Sequence, residues 1–314
     1  QTMNDLSTYQ SSHSWFDLNA HFCDPGNEHM EDIYSGIALS KKAGFTDICL
    51  MPGTIPPVVS KSDIAYILNQ NDKYVDLYVN ASLSETQKGE NLTEILDLYD
   101  SGASCYSDGD KSIWNTELLI KALEYTQNIS APIFQNAKDK HLSLGSQMHQ
   151  GVFSTRLGLK GEPSLSEELT VFRDLEILKY SGGNLHFSRI SCAKTLELIR
   201  EAKKSGLSVT CDVGIHHLLF TDEFIEDFDS NFKSFPHYRS ERDRKALLKG
   251  VEDGTIDAIC SNHRPLDDES KQLEFDLAEP GNISLQTFCP SLLSISKEVP
   301  LEALIEAVVN GQKI

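Results

Sequence analysis

Apolar runs of strand length recur along the chain at residues 15–18, 46–51, 74–79, 103–106, 132–134, 184–187, 208–213 and 258–260. They favour residue types that suit a pleated surface, and polar or glycine-containing stretches bound them. Between them lie segments with helical periodicity and recognisable ends. Ser60 is placed to cap 61–69, Asn91 begins a stretch closed by Gly102, and Leu and Ile recur at helical spacing through 118–125. The stretch 165–180 ends ahead of Gly182 and Gly183, 193–204 stops at Gly206, and Ser240 is placed to cap 241–251 ahead of Gly254. Eight strands alternating with helices predict a closed parallel barrel, the (β/α)8 TIM barrel, over a doubly wound open sheet, whose usual strand number is smaller. Two connections, 138–163 and 215–239, are longer than ordinary loops and are expected to build or cover a pocket at the C-terminal ends of the strands.

Composition narrows the class. At 314 residues the chain is long for one domain, but β/α barrels reach this size as a single unit. The barrel is assigned to 15–314, and the polar, featureless residues 1–14 are read as a tail or the remnant of a terminal β element. With 28 Lys and Arg against 47 Asp and Glu, the net charge of −19 argues against nucleic acid and anionic membranes as partners. No apolar run approaches the ~18 residues of a membrane span, and no secretory pattern opens the sequence, so a soluble cytoplasmic protein is expected. Seven cysteines are scattered singly without a Cys-x-x-Cys pair, which indicates neither a zinc knuckle nor a disulfide framework.

Barrel chemistry is written where the strands end. The first strand ends in Asn19, His21 and Cys23, the second in Met51-Pro-Gly53-Thr54, and the fourth in Ser107-Asp108-Gly109. The fifth leads to Asn136, the sixth to Arg189, and the eighth to Asn262, His263, Arg264 and Leu266. The set is polar yet poor in metal ligands. No dinucleotide fingerprint, Walker loop, nucleophile elbow or His-Glu-x-x-His occurs at a strand-to-helix junction.

Several blocks in one order resemble a known family. They include Pro25-Gly26 with Glu31-Asp-Ile-x-Ser-Gly36, Gly44-Phe-Thr46 leading to Met51-Pro52, Gly151-Val-Phe-Ser154 with Leu157-Gly-Leu-x-Gly161, and Gly254-Thr-Ile-Asp-Ala258. The chain resembles dihydroorotases of the amidohydrolase superfamily, of the type found in multifunctional complexes with aspartate carbamoyltransferase. The resemblance implies a metal-dependent hydrolase barrel. It also implies a small β domain, which is expected to be absent or incomplete here.

The departures fall on the working residues. Against the family pattern, Asn19 stands for the first zinc histidine, Asn136 for the strand-five histidine, Arg189 for the strand-six histidine, and Asn262 for the strand-eight aspartate that serves as ligand and base. The family's substrate contacts are replaced by Cys23, Gly53 and Leu266. His21 and Asp108 are the ligand positions retained, and Arg189 is expected to pair with Asp108 or Asp212. His263 is expected to bond a backbone carbonyl. Zinc hydrolysis needs at least three protein ligands and a base, so no cofactor is expected and catalysis is expected to be lost. The leading reading is a structural or regulatory partner of aspartate carbamoyltransferase, with self-association as another mode. Two readings stay open: an active cyclic-amide hydrolase with a rebuilt site, which would need zinc, and a metal-free binder of a small anion recognised by Arg189 and Arg264.

Overall fold

The computed structural model describes residues 14–314, so all but the last residue of the 1–14 segment lies outside the described residues. Eight parallel strands pair in chain order: β1 (Phe16–Ala20), β2 (Asp47–Leu50), β3 (Asp76–Ser82), β4 (Ala103–Ser107), β5 (Ile133–Gln135), β8 (Leu185–Phe187), β9 (Val209–Gly214) and β10 (Ala258–Cys260). The ring closes by a parallel bridge between Ala20 and His263, where the His21 N–H donates to the His263 carbonyl at 2.8 Å. The sheet is therefore a barrel.

Alternation along the strands separates two apolar regions. Phe16, Leu18, Cys49, Cys105, Phe134, Ala258 and Cys260 form a small cluster of their own. Their neighbours Ile48, Ile133 and Ile259 belong to the larger cluster shared with Leu119, Ile199 and Leu304 of the surrounding helices. Above the small cluster, interior positions turn polar. Asp212, in register with Ala258, accepts from His186 Nε2 at 2.8 Å. On the helix-facing side, Asp17, in register with Ile48, receives the Ser261 N–H at 2.8 Å as well as the Ser261 hydroxyl. Burial pushes the Asp17 carboxyl up to about 6 despite those bonds.

Helix ends follow the cap chemistry. Ser60 and Ser240 each accept from the N–H three residues on, and Asp63 and Asp243 bond back, completing capping boxes at Lys61–Leu68 and Glu241–Glu252. The predicted start at Asn91 is displaced, and the helix there spans only Ile95–Asp100. Residues just before it are held otherwise: Ser84 and Leu92 form an antiparallel bridge, and Thr93 Oγ1 donates to the carbonyl of Ser82 at 2.8 Å. The two long connections are structured. The first contains β6 (Met148–His149) paired with β7 (Gly161–Glu162) and the helix Val152–Leu157, while the second is a succession of short 3-10 turns.

Candidate functional site at the mouth of the barrel

The ends of β1, β4, β5, β8 and β10 converge on one side chain that is not among the strand-end candidates, Asp110. Gly109 adopts a left-handed turn (φ 64°) directly after Asp108, which lets the chain reverse and point Asp110 back over the barrel mouth. The Asn136 amide donates to the Asp110 carbonyl at 2.5 Å and fixes that turn. Asp110 Oδ1 lies 2.8 Å from Arg189 Nη1 and 3.7 Å from His21 Nε2, and Oδ2 accepts from Arg264 Nη1. Burial alone would push the Asp110 carboxyl up, but Arg264, then Arg189, and then His21 hold it well below the usual carboxylate range.

Arg189 is the centre of this arrangement. Its side chain is 1 % exposed. Residues 189–192 are clamped from two sides: the Arg189 N–H donates to Asp212 Oδ1 at 2.7 Å, and the Ser191 and Cys192 N–H groups donate to Glu167 at 3.0 Å. The backbone at Arg189 is left-handed (φ 55°), an uncommon state for a residue with a Cβ, and the clamps hold it there. Asn262 is left-handed as well (φ 52°); its Oδ1 accepts from Arg189 Nη1 at 3.2 Å and its Nδ2 donates to the Phe235 carbonyl at 3.0 Å. The guanidinium of Arg189 therefore pairs with Asp110, whereas the sequence pointed to Asp108 or Asp212, of which Asp212 receives only the backbone N–H. Asp108 faces Ser84 instead, accepting from its N–H at 2.8 Å and its hydroxyl at 2.6 Å.

His263 also differs from expectation. Its Nδ1 accepts from the Ser284 N–H at 3.1 Å and its Nε2 lies 2.9 Å from the Glu31 carboxylate, so it is a buried strut joining the end of β10 to the segment after β1. Cys23 and Leu266 line a cavity of about 270 Å³ with His21, Gly53 and Arg264. Burial raises the Cys23 thiol to about 11, which keeps it protonated and a poor nucleophile at neutral pH. A Cβ on Gly53 would come no nearer to the His21 ring than 3.8 Å, so the glycine leaves that face of the imidazole open to the cavity.

This donor set does not fit zinc. Asn19 and Asn136 offer amides, His21 offers one imidazole, and the carboxylate nearest to it is claimed by two guanidiniums. Among the described residues no three His, Cys, Asp or Glu side chains converge as metal donors. A fixed cation stands where a divalent ion would need its ligands.

Comparison with solved structures defines the class. The barrel is similar to L-hydantoinase (dihydropyrimidinase) from Arthrobacter aurescens, with a TM-score of 0.78 at 22% identity over 94% of this chain and 69% of that one. It is also similar to dihydroorotase in complex with 5-fluoroorotic acid from Saccharomyces cerevisiae, with a TM-score of 0.73 at 13% identity over 96% and 83%. These likenesses establish the fold as a TIM barrel.

Sequence carries the assignment further. The family described as Dihydro-orotase-like matches residues 13–195. The dihydroorotase of Acetivibrio thermocellus is 38% identical over 276 residues, 87% of this chain and 65% of its own length. That of Syntrophus aciditrophicus is 37% identical over 303 residues, 95% of this chain and 71% of its own. The chain belongs to the dihydroorotase-like family, and spans roughly two thirds of the length of these curated relatives.

Proposed function

We propose that this chain is a cytoplasmic member of the dihydroorotase family, tied to pyrimidine biosynthesis, that has given up zinc hydrolysis and serves as a structural or regulatory partner of aspartate carbamoyltransferase. The observation that carries this reading is the Arg189–Asp110 ion pair at 2.8 Å in the centre of the barrel mouth. A hydrolytic site there requires a cation, an activated water and a base. Arg189 opposes the cation, and Asn262, whose amide binds Phe235 and Arg189, takes up no proton near neutral pH. The fold is nevertheless fully specified, with intact caps, a closed sheet and buried struts such as Glu31–His263. A scaffold kept without its chemistry is explained by use of its surface.

The reading is tested by co-expressing the chain with aspartate carbamoyltransferase from the same cell and measuring mass by size-exclusion chromatography with light scattering. The expected result is a co-eluting complex at micromolar concentration, burying at least ~1,000 Å². Separate elution, with the carbamoyltransferase equally stable and active alone, contradicts the partnership. Hydrolysis of dihydroorotate by the isolated chain would favour the active-enzyme reading, which the names of the relatives support.

A further inference from the structure

The charges at the barrel mouth do not cancel. Arg189 and Arg264 both rest on the one Asp110 carboxylate, in a site cut into a chain of net charge −19. Asp212 gives its oxygens to His186 and to the Arg189 backbone N–H, not to the guanidinium. Lys138 stands 4.4 Å over the Phe235 ring, which the Arg189 guanidinium also faces at 5.5 Å, and its own carboxylate, Glu162, lies 3.8 Å away. Two guanidiniums against one carboxylate leave a surplus of positive charge, and a buried charge without a partner is costly.

The unpaired donors have a shape. Arg189 Nε and Nη2 have no hydrogen-bond partner among the described residues, although the side chain is almost wholly buried. Those two nitrogens share one edge of the planar guanidinium, the fork that matches the two oxygens of a carboxylate. Asn19 is fully buried, and neither its Oδ1 nor its Nδ2 is bonded among the described residues. The cavity of about 270 Å³ that Arg264 lines with His21 and Glu279 is just below the usual range for ligand pockets of about 300–1,000 Å³. Asp110, the carboxylate on which Arg264 and Arg189 meet, itself lines a second cavity of about 630 Å³ with Lys111 and Lys138, on a turn held by Gly109 and Asn136.

We propose that the barrel mouth is a metal-free receptor for a small carboxylate, which takes the place of Asp110 on Arg264 and reaches the free edge of Arg189. Asp110 is then an internal substitute for the ligand, and its turn is the gate. The inference rests on the metal-free reading of the centre, but the test below is made in chelator-treated buffer and reads binding alone, so either can fail without the other.

The experiment titrates the full chain with sodium malonate by calorimetry and thermal unfolding, with sodium chloride at matched ionic strength as control and sodium phosphate as the competing oxyanion. Asp110→Asn keeps the shape of the internal substitute and removes its charge, so malonate is expected to bind at least tenfold more tightly than to the unaltered protein. Arg264→Gln is expected to weaken binding at least tenfold. The proposal is overturned if malonate gives no response beyond chloride in either the unaltered protein or Asp110→Asn, if Arg264→Gln binds it as well as before, or if phosphate binds and malonate does not. Should Asp110→Asn fail to fold by circular dichroism, the unaltered protein against Arg264→Gln decides: a malonate response lost in the variant supports the proposal, and no response in the unaltered protein overturns it.

Discussion

Arg189→Ala is expected to destabilise the protein by about 3–5 kcal/mol, the range for breaking a buried ion pair from one side. The substitution strips Asp110 of its 2.8 Å partner, leaves Asn262 Oδ1 without its donor, and opens a void where a large, fully buried side chain stood. Arg264 remains on Asp110 and limits the loss, since its side chain is 29% exposed and free to adjust. Arg189→Lys keeps the charge without the planar fork and should fall between the two. Urea unfolding monitored by circular dichroism measures both. A change below ~1 kcal/mol for Arg189→Ala would mean that the guanidinium does not organise the mouth.

Acidification from pH 7 to 5 is the second large effect. Burial pushes His149 down to about 4, His217 down to about 3, and His237 well below its ordinary value. These rings are held neutral: His217 Nε2 donates to the Pro236 carbonyl at 2.9 Å, and His149 Nδ1 faces Arg239. The unfolded chain takes up protons near 6.5 that the folded chain refuses, so stability falls as pH falls through that window, by about 2 kcal/mol per histidine down to pH 5. Asp17 and Asp174 act in the opposite sense. Burial raises both to about 6, so the folded state binds their protons first and gains about 1.3 kcal/mol from each between pH 7 and 5. Burial lowers His216 to about 4 as well, so four histidines outweigh the two carboxyls and a net loss of about 5 kcal/mol is expected. Chemical denaturation at pH 7, 6 and 5 checks the sign. Asp110, whose carboxyl is depressed, adds its own loss only on further acidification, below the ordinary carboxylate range.

The barrel was legible in the sequence because strand and helix periodicities are local. All eight expected strands overlap those observed, and the helix Ala193–Lys204 has the expected bounds. What shifted was governed by contacts between distant positions. β1 runs on through Asn19 and Ala20 because Ala20 pairs with Leu50 and bridges His263, a partnership that the polar Asn19 conceals. Asn91 failed as a helix start because the bridge to Ser84 claims its neighbours first.

The same division holds at the site. The amide, thiol and guanidinium substitutions could be read directly, since each is a change of residue type at a strand end. The pairing of those groups was not legible. Asp108 is the acid that aligns, but the left-handed Gly109 hands the central position to Asp110; the Asp108-Gly-Asp110 spacing was the available signal. Glu31 and His263 lie 232 positions apart, and nothing in the local pattern of either predicts their bond.

The barrel mouth is held by the Arg189–Asp110 ion pair, and the donor set around it does not fit zinc. The most direct test is metal content of the full chain after expression in zinc-supplemented medium and gel filtration, by plasma mass spectrometry, together with the melting temperature before and after chelation. Zinc well below one equivalent and an unchanged melting temperature are expected. Zinc near one or two equivalents per chain, with a melting temperature that drops on chelation, would contradict a metal-free mouth.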